Sequence, residues 1–352
     1  MRSFRQSLTA PGTGGGGGGG AYVTIYDGAT VTPQVASWTI VDGQGTQVGL
    51  DARVTTGTTA ITTGQSITFD GDWDLTPIGA TLASFTSNNC TFGDFAPGTL
   101  ANLSTLYLGN CTFTSVDLSG LQNQVALSLV GCTIPTLTLA GGGFYNVVVH
   151  FGTYGDMDFT GCPDLNSITM SSDTPPTFGT LVCGDVTVNG SATLASVLIG
   201  GSQATYGNVA ITNCTALTSV SLDSPVTYPD VPEFDSLNFS GCSLLAILST
   251  NGAEVKTPSL NVTGCTSLAT ISVPSDILTT VTLSTLPAAT TVGFQGCALN
   301  VASVNAILVA LDANGLSGGQ VYLDLGTNAA PTGAGITAAA NLVSKGWTVA
   351  TN

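Results

Sequence analysis

Few side chains in this sequence could do chemistry, and most of the cysteines among them sit in one repeated setting. The 352 residues include nine cysteines, one histidine, five basic residues and 21 acidic ones. Seven cysteines follow, by three positions, the second of two apolar residues that are themselves two apart. The pairs are Leu106/Leu108, Leu127/Leu129, Met157/Phe159, Val209/Ile211, Leu237/Phe239, Leu260/Val262 and Val292/Phe294. Their cysteines are Cys111, Cys132, Cys162, Cys214, Cys242, Cys265 and Cys297, and an eighth pair, Val186/Val188, is followed by Ser191. Cys90 and Cys183 fall outside the pattern. Cysteines can form disulfides, ligate zinc or act as nucleophiles. No CxxC pair is present, and His150 is the single histidine, so no zinc spacing can be assembled. Thiols placed at one recurring position are expected to stack inward as small buried hydrophobes.

The carboxylates give weaker signals. Asp70, Asp72 and Asp74 in DGDWD match the opening of a calcium loop, but the sixth position is Leu75 and the twelfth Thr81, where such loops need Gly and Glu. A solvated turn is the expectation. Asp156 and Asp158 lie close on one strand and could pair, but a solvated edge is the default expectation. Catalysis needs a placed base and acid, and beyond the N-terminal arm the only bases are Arg53, Lys256 and Lys345. The expectation is therefore no enzyme, no catalytic or metal residues, and no cofactor.

The elements that position these residues are short strands. Apolar residues two apart, with a polar residue between, bury one face of a strand. A second pair follows the first within most copies: Val116/Leu118, Leu137/Leu139, Ile168/Met170, Val197/Ile199, Val220/Leu222 and Ile271/Val273. Two strands per copy predict a coil with two sides. Copies begin at unequal intervals, the shortest from Leu106 to Leu127 and the longest from Leu260 to Val292. Connections thus absorb the length differences, as in stacked-repeat chains. In LSTLYLGNCTF, Leu103, Leu106, Leu108, Cys111 and Phe113 show the spacing L-x-x-L-x-L-x-x-C-x-L. Later copies read GCTSLATISVP and GCPDLNSITM. This resembles the Cys-bearing leucine-rich repeats of bacterial and phage surface proteins, over roughly residues 80–352. Such repeat proteins mostly bind things, and each binds something different.

The resemblance and the pattern together predict a mainly β chain: a leucine-rich-repeat-like β-solenoid with a small N-terminal β module and an α/β C-terminal cap. Residues 1–20 would be an arm and poly-Gly linker, 21–80 the β module or N-terminal cap, 81–300 the solenoid and 301–352 the C-terminal cap. The cap reading rests on a change of period. Val301, Val304, Ile307, Leu308 and Leu311 recur at helical spacing, with Asn300 as N-cap and Asn314-Gly315 as stop. Residues 320–326 read as a strand, 336–346 as a second helix, and 347–351 as a closing strand.

Composition narrows the partners. Charged residues are 7% and the net charge is −16. Nucleic-acid binding needs a basic footprint that is missing, and an anionic membrane surface is disfavoured for the same reason. No apolar run approaches the ~20 residues of a spanning helix. The segment SFRQSLTAPGTGGG holds no apolar core of a signal peptide, which predicts cytoplasmic synthesis followed by release. Gly14–Gly20 form a flexible tether to an arm carrying Arg2, Phe4, Arg5 and Leu8, expected to dock on a partner.

The outward strand positions are mostly small, polar and neutral: Tyr107, Ser128, Asp158, Thr187, Ala210, Asn238, Asn261 and Gly293 on one side, Asp117, Thr138, Thr169, Leu198, Ser221 and Ser272 on the other. They are too mixed for the uniform Thr lattice of an ice-binding surface. Longer connections at 141–154, 171–180, 224–234 and 251–259 carry aromatic or Pro residues, and Phe144, Tyr145, Tyr154, Tyr206 and Tyr228 are the expected recognition surface. The expectation is a virion component of a phage, of fibre, spike or decoration type, part of a multimeric assembly. The arm would contact other virion proteins and the solenoid a host-surface glycan or protein. A bacterial surface adhesin or extracellular filament subunit is the alternative, and a free glycan-binding module a third.

Overall fold

The computed structural model describes residues 103–172, 179–223, 231–250 and 254–352. It also describes short strands at Thr24–Ile25, Thr30–Val31, Thr39–Asp42, Ile67–Thr68, Trp73–Asp74, Leu82–Asn88 and Asp94–Phe95. Arg2, Phe4, Arg5, Leu8, Gly14–Gly20, Asp70, Asp72, Cys90, Tyr228 and the side chain of Asp74 lie outside the described residues. The described chain is mainly β, dominated by short parallel strands in long register, with two helices. It divides into two compact units, Met1–Leu165 and Asn166–Asn352.

In the first unit, Leu82–Asn88, Thr105–Gly109, Val125–Ile134 and Phe144–Tyr154 pair in parallel. Leu106, Leu127 and Val147 share one register column, and Leu108, Leu129 and Val149 the next inward one. A second row of strands, Asp94–Phe95, Ser115–Asp117 and Leu137–Thr138, aligns Phe95, Val116 and Leu137. Thr39–Asp42 pairs antiparallel with Leu82–Asn88 at the start of the first row.

The second unit repeats the plan. One row runs Val186–Asn189, Thr205–Thr212, Glu233–Asn238, Ser259–Asn261 and Thr280–Thr282, aligning Val186, Val209, Leu237, Leu260 and Val281. The other runs Ser167–Ser171, Ser196–Gly200, Ser219–Asp223, Ile247–Ser249, Thr270–Ser272, Thr291–Gly293, Gln320–Leu323 and Thr348–Thr351. Its inward column is Ile168, Val197, Val220, Leu248, Ile271, Val292, Val321 and Val349. A coil such as 209–222 adds Val209, Ile211, Val220 and Leu222, all at most 1% exposed. Each contributes about 1.5–3 kcal/mol by leaving water, but only when the next coil covers it, which is why the units are stacks.

Two of the eight apolar pairs lie in a different row from the one expected. Met157/Phe159 follows Leu137/Leu139: Gly141 N donates to Thr160 O (2.9 Å) and Cys162 Sγ to Leu139 O (3.4 Å). Val292 stacks on Ile271, not on Leu260. The rungs that take their places are Val147/Val149, within what reads as a long connection, and Val281. The two longest intervals between copies, Leu127 to Met157 and Leu260 to Val292, each hide one cysteine-free rung.

The residue before each patterned cysteine, or before Ser191, explains the sharp corner there. Asn110, Gly131, Gly161, Gly190, Asn213, Gly241, Gly264 and Gly296 all have positive φ, from 50° to 79°. Only Gly, and secondarily Asn, occupies that left-handed region cheaply.

At the C-terminal end the helix Val301–Ala313 starts where expected. Asn300 Oδ1 accepts from Ser303 N at 2.9 Å, and Val304, Ile307, Leu308 and Leu311 are fully buried. The helix Ala334–Ser344 and the strand Thr348–Thr351 follow. Lys345 Nζ joins the two helices by pairing with Asp312 Oδ1 at 2.7 Å.

Candidate functional site

The patterned thiols are structural groups. All eight described cysteines are free and buried. Cys132 lies directly over Cys111, whose carbonyl accepts from Thr133 N (2.8 Å), and in the second unit Cys214, Cys242 and Cys265 succeed Ser191 on consecutive rungs. Most of these thiols reach back one coil to a strand-end carbonyl. Cys132 donates to Leu108 O (3.2 Å), Cys162 to Leu139 O (3.4 Å) and Cys242 to Ile211 O (3.2 Å). Cys265 donates to Phe239 O (3.1 Å) and Cys297 to Val273 O (3.6 Å). A thiol fills an aliphatic-sized space yet offers this carbonyl a weak donor. Burial pushes Cys162, Cys265 and Cys297 up to about 11. Cys242 is pushed up by its hydrogen bond with Cys214 and by burial.

The carboxylates of the outward strand positions close turns. Asp117 Oδ1 accepts from Ser119 N (3.0 Å) and Asp158 Oδ1 from Thr160 N (2.8 Å). Asn238 and Asn261 bond the backbone two residues on in the same way. Asp158 is thus a turn residue. Among the described residues no group of three His, Cys, Asp or Glu could hold a metal ion.

The expected aromatic surface is largely interior. Phe144 (0% exposed), Tyr154 (3%) and Tyr206 (4%) are buried, and Tyr145 (41%) alone of the described four faces solvent. The reason is stacking on the preceding coil. Gly152 has no room for a Cβ, which would meet Cys132 O at 2.4 Å and the Tyr154 hydroxyl at 3.0 Å. In that cysteine-free rung the Tyr154 hydroxyl accepts from Cys132 N (3.3 Å) and lies 3.1 Å from Phe151 O. Tyr206 Oη lies 2.9 Å from Gly200 O and 3.1 Å from Met170 O, while its ring stacks on Phe234 at 5.0 Å and 9°. Both tyrosines use a polar tip to satisfy backbone and an apolar body to fill the core.

The Tyr206–Phe234 stack is the floor of a cleft on which charged groups converge. Thr205 pairs with Glu233 and Tyr206 with Phe234 in parallel, and Glu233 bridges in turn to Lys256. Phe234 N donates to Lys256 O (2.8 Å) and Lys256 N to Pro232 O (2.9 Å). This pairing turns Tyr206 and Phe234 inward and leaves Thr205, Glu233, Asp235 and Lys256 on the outside. With Pro258 and Ile277 they line a cleft of about 290 Å³.

No family model, curated protein or solved structure matches this chain. What the cleft can hold therefore follows from its own chemistry. Lys256 Nζ pairs with Glu233 Oε1 at 2.7 Å. Asp235 is exposed and makes no hydrogen bond or ion pair among the described residues. Ile277 is 43% exposed, an apolar wall beside a free carboxylate. Such a combination accepts a cation borne on an apolar stem. Sequence reasoning missed these residues because Thr205, Glu233, Lys256 and Ile277 lie one coil apart from each other in turn and meet only through strand register. The one signal was indirect: Glu233, Lys256 and Pro258 lie in two of the long connections.

Proposed function

We propose that this chain is a non-enzymatic structural and binding component of a phage virion, of fibre, spike or decoration type. Its stacked coils belong to the leucine-rich-repeat-like class of solenoid. The arm carrying Arg2, Phe4, Arg5 and Leu8 anchors it to other proteins of a multimeric particle, and the coils present a stiff surface to a host glycan or protein. The observation that carries this reading is how the reactive groups are employed. Described thiols sit in the core, several bonding strand-end carbonyls; Asp117 and Asp158 close turns; and the outward strand residues are mostly Ser, Thr and Asn. A surface of that kind is built for shape and hydrogen bonding more than for bond making. Mass spectrometry of purified particles tests the proposal. The chain is expected at a fixed stoichiometry with the capsid or tail proteins, and particles that lack it would refute the assignment.

A further inference from the structure

We infer that the cleft lined by Glu233, Asp235, Lys256, Pro258 and Ile277 receives the basic, apolar arm of a second copy of this chain, and so joins copies head to tail. The inference rests on the arm being the anchoring element of the proposed function, and it names the surface on which that element docks. Charge makes the first part of the case. Residues 1–13 contain Arg2 and Arg5 and no acid, so they carry +2 of a net −16, and the remaining chain carries −18. The other bases described, Lys256 and Lys345, are already paired with Glu233 and Asp312. The arm is thus the chain's concentrated source of cations for an acidic surface, and such opposite fields steer association.

The cleft supplies the second part. Asp235 offers a carboxylate unpaired among the described residues, and Glu233 can share its charge between Lys256 and an incoming guanidinium. An arginine head takes a carboxylate through two parallel N–H donors. Ile277 and Pro258 meet an apolar neighbour such as Phe4 or Leu8. At about 290 Å³ the cleft holds one or two side chains, not a folded element. A contact between two different surfaces repeats from copy to copy, giving a ring or an open row.

The test uses the full chain and reversal of charge. Sedimentation velocity over a range of concentrations is run on wild type, Arg5→Glu, Asp235→Arg, the double variant, and an equimolar mixture of the two single variants. Asp235 is exposed and has no partner among the described residues, so its substitution is expected to leave the fold intact, which circular dichroism and the melting temperature verify. Wild type is expected to self-associate, with the association constant falling as salt rises. Each single reversal lowers that constant by about fivefold or more, the effect of losing one charge-assisted contact. The double variant and the mixture recover it, because an acidic arm then meets a basic cleft on another chain. A wild type that stays monomeric, single variants that associate like wild type, or a mixture that fails to recover overturns the inference. Recovery in the double variant without concentration dependence shows each arm in its own cleft and overturns it too. If association fails while the chain is still found in particles, the cleft assignment falls alone. If the chain associates as expected but is absent from particles, the cleft stands and the virion reading falls.

Discussion

Among the described residues, Thr250 carries the buried side-chain polar atom that is left unsatisfied, and replacing it with valine should stabilise the protein. Thr250 is 0% exposed and its Oγ1 has no hydrogen-bond partner among the described residues, while its backbone N donates to Ser272 O at 3.1 Å. The repeat explains the misfit: Leu248 keeps the inward column, and Thr250 takes the position that Leu222 and Val273 occupy in neighbouring coils. A buried hydroxyl without a partner costs about 1–3 kcal/mol. Valine keeps the branched shape and β preference while removing that group. Thr250→Val is therefore expected to gain about 1–3 kcal/mol. For a cooperative unit spanning residues 166–352, this raises the melting temperature by roughly 2–10 °C. Calorimetry, with urea unfolding as a second measure, reads the change. Thr257→Val serves as the control. Thr257 is equally buried, but its Oγ1 donates to Ser259 O at 3.1 Å, so valine there should cost about 0.5–1.5 kcal/mol. If Thr250→Val destabilised the protein as Thr257→Val does, the Thr250 hydroxyl would have to be satisfied, for instance by a buried water, and the reasoning would fail.

Two further predictions concern the corners and the thiols. Gly296→Ala adds a Cβ with nothing within 4 Å, so only its left-handed φ of 73° is penalised, at about 1–2 kcal/mol. Gly241→Ala should cost clearly more, because its Cβ would lie 2.2 Å from Asn213 Oδ1 and disturb the Asn213 Nδ2 to Asn189 Oδ1 bond of 3.0 Å. Urea midpoints separate the two, and equal losses would count against the clash. Cys162, Cys265 and Cys297 are raised in the folded chain from 9.0 to about 11 by burial. The unfolded chain therefore releases these protons first, so their contribution is complete below pH 9 and is lost as pH climbs toward 11. The melting temperature should fall over that window, and fall less when the three cysteines are replaced by alanine; an identical pH slope in that variant would contradict the assignment.

Much of the fold could be read in the chain itself, for local reasons. Apolar residues two apart specify a strand with one buried face wherever they occur. A Gly or Asn before each patterned cysteine or Ser191 specifies a left-handed corner, because other side chains are strained there. Asn300 caps its helix with its own side chain, and Asn314 ends it before Gly315, whose φ is 76°.

The side of the coil on which a strand lies is a different kind of fact. A pair such as Val292/Phe294 reads identically in either row, and only its register against Ile271 in the preceding coil decides between them. Burial of aromatics is equally non-local. Tyr154 and Tyr206 sit in stretches that look like surface connections, yet the stacked backbone gives each hydroxyl a carbonyl or amide to bond and so admits the ring to the core. The cleft lies at the far end of this scale, since Glu233, Lys256 and Ile277 have no pattern relating them in sequence. The amino-acid order thus determined the rungs, the corners and the helical cap, whose causes act within a few residues. Tertiary structure alone decided which rungs stack, which aromatics are sealed in, and where charged groups meet, because those depend on pairing between residues one whole coil apart.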